Sequence, residues 1–205
     1  MLIYLDANIV QYCADYEDFL FGDGKLPSGT TARIRRELSG LRTLIDIELQ
    51  LEHLDFNNRW DFAAPMHLIK ELLKGRPTAN QRDVYTMFRQ VWNDFGKAYP
   101  EPDAECVTTI YNSLAYLNLK DAADRFHLAQ AIAVEATWFL TNDNDIIEKT
   151  SLESERLRYK ATGIRENVGI IQSVRIALPS ECATRLAFHP VWGLMSRGSD
   201  RASST

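Results

Sequence analysis

The stretch from Asp121 to Asp143 constrains the fold most strongly, because an apolar helix runs directly into an apolar strand. Residues 121–136, DAADRFHLAQAIAVEA, have hardly any polar face, so we expect a well-buried helix. The next residues, TWFL, are typical of a strand, and this run stops at Thr141-Asn142-Asp143. A buried helix that leads at once into a buried strand favours an α/β protein with a parallel sheet.

Three further apolar runs have the length and composition of strands. Residues 2–5, LIYL, stop at Asp6, residues 60–64 form a second candidate, and residues 174–178 form a last one that Pro179 closes. Helical patterns separate them, over residues 7–14, 31–57, 66–75, 80–98 and 104–119. Because no hairpin signal joins any two strands, the sequence predicts a three-layer α/β/α fold, with helices on both faces of a central parallel sheet.

The length of 205 residues suits one domain with a substantial core. We expect this domain to cover residues 1–195, with a helical insertion at about 11–58 that includes a loop over 21–30. The apolar segment 188–195 is expected to pack on the core. The small polar residues 196–205 are expected to form a disordered tail.

The composition favours a soluble protein of a reducing compartment. No apolar run approaches the roughly 20 residues of a membrane-spanning helix, and the N-terminus lacks the basic region of a secretory signal. The three cysteines, Cys13, Cys106 and Cys182, are too far apart to suggest a disulfide framework or a zinc cluster. We therefore expect a cytoplasmic protein.

The net charge of −5 does not exclude a nucleic-acid partner. If four carboxylates were reserved for cations, the remaining charge would be −5 + 4 = −1, which is close to neutral. Basic side chains that line a substrate path could then still bind phosphates.

Acidic residues stand at matching places in the predicted fold. Asp6 and Asp143 follow strands, and Asp124 lies in the first turn of the helix that leads into the second of these strands. In parallel sheets ligands bind beyond the carboxyl ends of the strands. Glu71, on the helix after the second candidate strand, is the fourth candidate. Carboxylates that converge repel one another unless a cation neutralises them, and oxygen ligands favour Mg²⁺ or Mn²⁺.

Each of these acids also has a structural interpretation. Asp6 could cap the helix that follows it, and Asp143 could cap the turn DIIEK. Asp121 and Asp124 could stabilise the first turn of their helix through the macrodipole. Glu71 could be a solvated residue of an amphipathic helix. His127, three positions after Asp124, is a candidate general base, although a packing or hydrogen-bonding role is the favoured interpretation.

The fragments IYLDANIV, LIKELLKG, DAADRFHLAQAIA and WFLTNDNDI resemble the four signature blocks of PIN domains, over residues 1 to about 145. The resemblance implies a PIN-like nuclease fold and a Mg²⁺- or Mn²⁺-dependent endoribonuclease. It implies metal-binding, catalytic roles for Asp6, Glu71, Asp124 and Asp143, with Asp145 as an accessory metal ligand and Asn8 and Thr141 as supporting residues. It also implies an RNA substrate, a homodimer, and a toxin–antitoxin system in which a protein inhibitor (the antitoxin) controls the toxin.

Several alternatives stay open at this point. The position four before Glu71 is His67, where the family often has a small hydroxyl residue, so Glu48 and Glu52 are weaker candidates for the fourth acid. A PIN module that binds RNA or protein without cleaving is the second functional hypothesis. A phosphatase with Asp6 as nucleophile is the third, but it would need an acid where the chain has Asn8.

A set of basic residues on or after the Glu71 helix is a candidate for holding the RNA backbone. A solvated basic face is an equally good interpretation of this set. Its members are Lys70, Lys74, Arg76, Arg82 and Arg89.

Overall fold

The computed structural model describes residues 1–51, 60–64, 66–98, 102–151 and 174–187. It contains four strands, β1 (Leu2–Leu5), β2 (Asp61–Ala63), β3 (Trp138–Leu140) and β4 (Arg175–Ala177). Its helices are α1 (Ala7–Asp15), α2 (Glu17–Phe21), α3 (Ala32–Leu51), α4 (Met66–Lys74), α5 (Ala79–Ala98), α6 (Ala104–Ser113), α7 (Ala122–Ala133), α8 (Asn144–Ser151) and α9 (Pro179–Ala187), with a 3-10 turn at Leu114–Leu117.

The strands form one sheet in the order β2-β1-β3-β4, and every described pair is parallel. The prediction of a mixed α/β fold with a parallel sheet is therefore confirmed. The chain passes from β1 outward to β2 and then returns across β1 to β3. This reversal creates a switch point between β1 and β3, where the connections leave in opposite directions and open a crevice at the carboxyl ends.

Both faces of the sheet are covered, because side chains of a strand alternate between its two faces. Ile3 and Leu5 of β1 belong to one hydrophobic cluster, with residues of α1, α3, α4, α5 and α9. Leu2 and Tyr4 belong to the other, with residues of α6, α7 and α8. This layering explains why the strands are continuously apolar, and it is compatible with three α/β/α layers.

Helix α3 and helix α9 pack closely on the first face. At Gly40 an added Cβ would lie 2.5 Å from the backbone nitrogen and the Cα of Ser180, so only glycine allows this approach. Beside it, the buried carboxylate of Glu37 accepts a hydrogen bond of 3.1 Å from the Ser180 backbone N–H. The orientation of α3 is thus fixed by α9.

Several sequence-based boundaries are corrected. Residues 17–21 form α2, residues 144–151 form α8 and residues 179–187 form α9, and none of these three helices was predicted. Pro179 closes the last strand as expected, but it also occupies the first turn of a helix, where its missing N–H costs nothing. The helix predicted over 104–119 ends at Ser113 and continues as the 3-10 turn, which Asn118 closes with a left-handed φ of 48°.

Other expectations lie outside the described residues. These are the helix end at 52–57, the packing of 188–195, and the tail at 196–205. Within the described ranges, no helix is both long and apolar enough to cross a membrane.

Candidate functional site

Asp6 and Asp143 lie at the switch point between β1 and β3. Asp6 directly follows β1, and its backbone N–H donates a 3.0 Å hydrogen bond to the carbonyl of Leu140, the last residue of β3. Asp143 follows Leu140 by three positions. The parallel register of β1 and β3 thus brings the two acids to the same edge of the sheet.

The carboxylate of Asp6 is almost fully buried, with 2% of its surface exposed. Its Oδ2 accepts hydrogen bonds from the amide of Asn8 and from the hydroxyl of Thr141, both at 2.7 Å. Its Oδ1 accepts the backbone N–H of Ala7 at 2.8 Å. These three hydrogen bonds hold the carboxylate in one orientation.

Asn8 and Thr141, predicted as supporting residues, connect Asp6 to the loop between β3 and α8. Asn8 accepts the backbone N–H of Asn142 at 2.9 Å through its Oδ1. The Thr141 hydroxyl oxygen accepts the backbone N–H of Asp143 at 3.0 Å. One polar network therefore positions both strand-end acids.

Asp124, in the first turn of α7, is electrostatically coupled to these acids. Burial raises the pKa of its carboxyl to about 6, and the negative charges of Asp6, Asp143 and Asp121 contribute further. Such a shift means that the charged form of Asp124 is disfavoured unless a cation approaches. Asp6, Asp124 and Asp143 thus share one electrostatic environment.

An open hollow of about 730 Å³ lies over this edge of the sheet. Asp124 and Asp143 line it together with Asp121 and Asp145, and Arg33 and Lys120 add positive charge. Asp145 is held by the protein's own cations, since Lys149 Nζ lies 3.0 Å and Lys120 Nζ 3.6 Å from its Oδ1. A backbone hydrogen bond from Lys120, together with these charges, lowers the pKa of Asp145.

Among the described residues, no hydrogen bond or ion pair joins Glu71 to the other three acids, so its place in the site stays a prediction. Its side chain is exposed on α4, it is not among the charges that shift the pKa of Asp124, and it does not line the hollow. Glu48 lines a separate, mostly apolar hollow together with Trp60 and Phe62. Glu52 lies outside the described residues.

His127 lies beside Asp6, and His67 lies beside His127. His127 is buried, and its Nδ1 is 3.4 Å from Asp6 Oδ1, in agreement with the packing and hydrogen-bonding role favoured from the sequence. Its ring centroid is 5.0 Å from that of His67. Burial and the charge of His127 lower the pKa of His67 to about 4. That His67 lies next to His127 was not predicted from the sequence. The position of His67 one helical turn before the candidate acid Glu71 could have indicated a place near the site.

The structural interpretation of the acids also holds in part. Asp6 caps α1, Asp121 caps α7, and Asp143 Oδ1 accepts the backbone N–H of Asp145 at 2.6 Å at the start of α8. Asn8 donates to Asp6, so it supplies no acid for phosphatase chemistry. Among the described residues, no three acid, histidine or cysteine side chains already surround one point closely enough to hold a metal ion.

Arg33 of α3 was also missed as a site residue. Its guanidinium donates hydrogen bonds to the carbonyl oxygen of Asn142 at 3.3 Å and to Asn144 Oδ1 at 2.5 Å. The available signal was the basic stretch TARIRR at residues 31–36. Helical periodicity alone did not indicate that this end of α3 reaches the strand-end acids.

No family model, no curated protein and no solved structure matches this chain.

Proposed function

We propose that this protein is a Mg²⁺- or Mn²⁺-dependent endoribonuclease of the PIN type. The observation that carries the proposal is the placement of Asp124 within the electrostatic reach of Asp6 and Asp143, beside a hollow at the switch point of the sheet. The resemblance of the four sequence blocks to PIN domains supports the same conclusion and supplies the expectation that the substrate is RNA.

The donor chemistry fits a hard divalent cation. Asp6, Asp124 and Asp143 offer only oxygen atoms, which Mg²⁺ and Mn²⁺ prefer. Such an ion would stabilise the negative charge on Asp124, which burial and the neighbouring acids disfavour, so binding of the ion at this place would be favourable. Because no three described side chains already surround one point, we expect Asp124 or Asp143 to turn about its side-chain torsions when the ion binds.

A bound divalent ion would lower the pKa of an attacking water and neutralise charge on the phosphate. The chain's own residues prepare this chemistry. Asn8 and Thr141 hold the Asp6 carboxylate, so this ligand does not need to reorganise. Arg33 and Lys120 place positive charge on the rim of the hollow, where a phosphodiester would otherwise be repelled by the acids.

The proposal depends on three acids, and the roles of Glu71 and Asp145 stay predictions. Glu71→Gln and Asp145→Asn test them separately. Cleavage that falls with Glu71→Gln would place this acid in the reaction in spite of its exposed position on α4.

The test is a cleavage assay on a labelled RNA with the Asp143→Asn variant. Asparagine caps helices as well as aspartate does, so the start of α8 is preserved and only the charge is removed. We expect cleavage by the unchanged protein with Mg²⁺ or Mn²⁺, none with EDTA, and none by Asp143→Asn. Asp83→Asn, at an exposed position of α5, is the matched control and should cleave normally. Cleavage that persists in Asp143→Asn or in EDTA would contradict the proposal.

A non-catalytic module that binds RNA or protein is the second candidate. The exposed position of Glu71 and the lack of a ready three-ligand group among the described residues favour it. Calorimetric titration with Mn²⁺ separates the two functions. Binding that disappears in Asp124→Asn favours the nuclease, and no heat at millimolar metal favours the non-catalytic module.

The homodimer and the protein inhibitor of a toxin–antitoxin pair stay predictions from the resemblance. Light scattering of the purified chain tests the first. Expression of the active chain and of Asp143→Asn in a growing bacterium tests the second, because a toxin should arrest growth only when it is active.

A further inference from the structure

The first turns of α3 carry a concentration of positive charge beside the strand-end acids. Residues 31–36 include Arg33, Arg35 and Arg36 and no acid, in a chain whose net charge is −5. All three arginines are exposed. We propose that these turns bind the backbone phosphates of single-stranded RNA next to the phosphodiester that lies at the carboxylates. This inference rests on the proposed nuclease function, whose active site it extends.

Arg33 joins the basic turns to the acidic hollow. It lines the same hollow as Asp124 and Asp143, and it is held there by its bonds to Asn142 and Asn144. Both bonds come from one terminal nitrogen, whereas a guanidinium carries five N–H donors. Arg33 therefore has donors left for the oxygen atoms of a phosphate, and the arginine fork matches such a group.

A second open hollow, of about 600 Å³, lies on the other side of the same turns. It is lined by Arg35 and Arg36 together with Thr30, Ala32 and Ser39. The Nε of Arg36 is held 2.9 Å from the buried carboxylate of Glu37, while 62% of its side chain stays exposed. Arg33 lines the first hollow and Arg35 lines the second, and both residues belong to the first turns of α3. A strand that lies in both hollows would meet both guanidinium groups.

The turns are held in this position by the packing of α3 on α9. Glu37 follows Arg36 directly and accepts the backbone N–H of Ser180, and Gly40 lies against Ser180 one turn later. These contacts with α9 hold in place the part of α3 that carries the arginines. Little ordering cost then remains when a strand binds, because only side chains must be fixed.

A single strand fits this surface better than a duplex. Tyr12 of α1 lines the acidic hollow with Arg33. Its side chain is half-buried and its ring packs edge-on against Tyr16, so an unpaired base would meet the part of Tyr12 that lines the hollow. Unpaired bases stack on aromatic rings, whereas the bases of a duplex are already stacked and paired. Arginines that contact phosphates and a tyrosine that contacts a base form a typical single-strand platform.

Lys74 and Arg82, two of the basic residues predicted from the sequence, lie away from the strand-end acids. Gln81 donates a 2.7 Å hydrogen bond to Asp15, at the end of α1 away from Asp6, and Arg82 is the next residue. Lys74 is the last residue of α4, and α4 also runs away from the carboxyl edge. Replacing Lys74 and Arg82, which are both exposed, removes two positive charges, as does replacing Arg33 and Arg35. Lys74 and Arg82 therefore serve as the control pair.

The experiment measures anisotropy of a labelled single-stranded RNA of about 12 nucleotides, in EDTA so that binding is independent of cleavage. The double variant Arg33→Gln/Arg35→Gln is compared with Lys74→Gln/Arg82→Gln over a range of salt. Each lost phosphate contact should lower the slope of log K against log salt by about 0.7. We expect a loss of about 1.4 in slope and at least about tenfold in affinity for the first pair, and little change for the second.

Three further arms complete the test. Arg33→Lys keeps the charge but loses the fork, and should bind between the unchanged protein and the double variant. Tyr12→Leu should reduce the preference for the single strand over a duplex of the same sequence. Thermal melting checks that each variant is folded. Equal weakening by the two double variants, or tighter binding of the duplex, would overturn the inference.

The outcomes separate the inference from the nuclease proposal. If RNA binds through Arg33 and Arg35 but is never cleaved, the nuclease proposal fails and the binding surface stands. If RNA is cleaved and Asp143→Asn is inactive, while the double variant binds normally, the nuclease proposal stands and this inference fails.

Discussion

The hydroxyl of Thr141 donates a 2.7 Å hydrogen bond to Asp6 Oδ2, across 135 positions of the sequence. Thr141 is fully buried, and the same oxygen accepts the backbone N–H of Asp143 at 3.0 Å. One side chain at the end of β3 therefore orients the acid that follows β1 and the acid that follows β3. Thr141 thus connects the carboxyl ends of β1 and β3 within one hydrogen-bond network.

Replacing Thr141 with valine should therefore destabilise the protein and weaken the site. The shape is kept, but Asp6 loses a donor and the Asp143 N–H loses its acceptor. Buried polar groups left without a partner cost about 1–3 kcal/mol, so urea unfolding should show a loss of this size. Cleavage should fall as well, because Asp6 is no longer held in place.

Thr150→Val is the matched control. Thr150 is also buried, but its hydroxyl only donates to the Ile146 carbonyl within α8. Without this hydroxyl the Ile146 carbonyl has lost only an additional donor, so the free energy of unfolding should change little. If the two variants lose the same stability, the bond from Thr141 to Asp6 does not have the role we assign to it.

Local sequence patterns predicted the strands and most helices because both faces of the sheet are buried. The run Leu2–Leu5 is continuously apolar, and the structure places its residues alternately in the two hydrophobic clusters. Helix α9 was missed for a physical reason. Its position depends on the close approach of Gly40 to Ser180, which brings together residues 140 positions apart. No local pattern contains that contact.

The site was predictable where an acid is attached to a strand end. Asp6 and Asp143 could be placed together because parallel strands end at one edge of a sheet. Glu71 lies within a helix, where the rotation of the helix decides which way a side chain faces, and its side chain is exposed. Arg33 could not be placed because it reaches Asn142 through the tertiary position of α3.

Cys106 should be the only thiol that reacts quickly in the folded protein. Burial raises the pKa of Cys13 to about 12, and it raises the pKa of Cys182 to the same value. A thiol must ionise to react, so both should be inert at neutral pH. A colorimetric thiol reagent should label one cysteine in the native chain and three in urea. Cys106→Ser should abolish the fast phase, and a fast phase that remains would show that a buried thiol is accessible.

Gly40→Ala should destabilise the contact between α3 and α9. The added Cβ would lie 2.5 Å from the backbone of Ser180, so the helices must separate. Overpacking of this kind costs about 1–3 kcal/mol, although alanine favours a helix. Gly75→Ala is the control, since its Cβ would meet only the Leu72 carbonyl oxygen at an ordinary 3.4 Å. Equal melting temperatures for the two variants would contradict the close packing.

Asp124 should make the cation-free protein less stable as pH rises. Its pKa is raised by burial from 3.8 to about 6 in the folded state, so between these values the folded protein binds more protons than the unfolded chain. Stability then falls with rising pH through this window, and the penalty is fully present above it. Because the group is partly exposed, we expect a penalty of no more than about 1 kcal/mol. In EDTA, Asp124→Asn should therefore be more stable than the unchanged protein at about pH 8, and this difference should vanish near about pH 4.

Asp103→Asn, which keeps an exposed helix cap, should show no such trend in urea unfolding. A difference for Asp124→Asn that does not change with pH would show that the acids are not coupled.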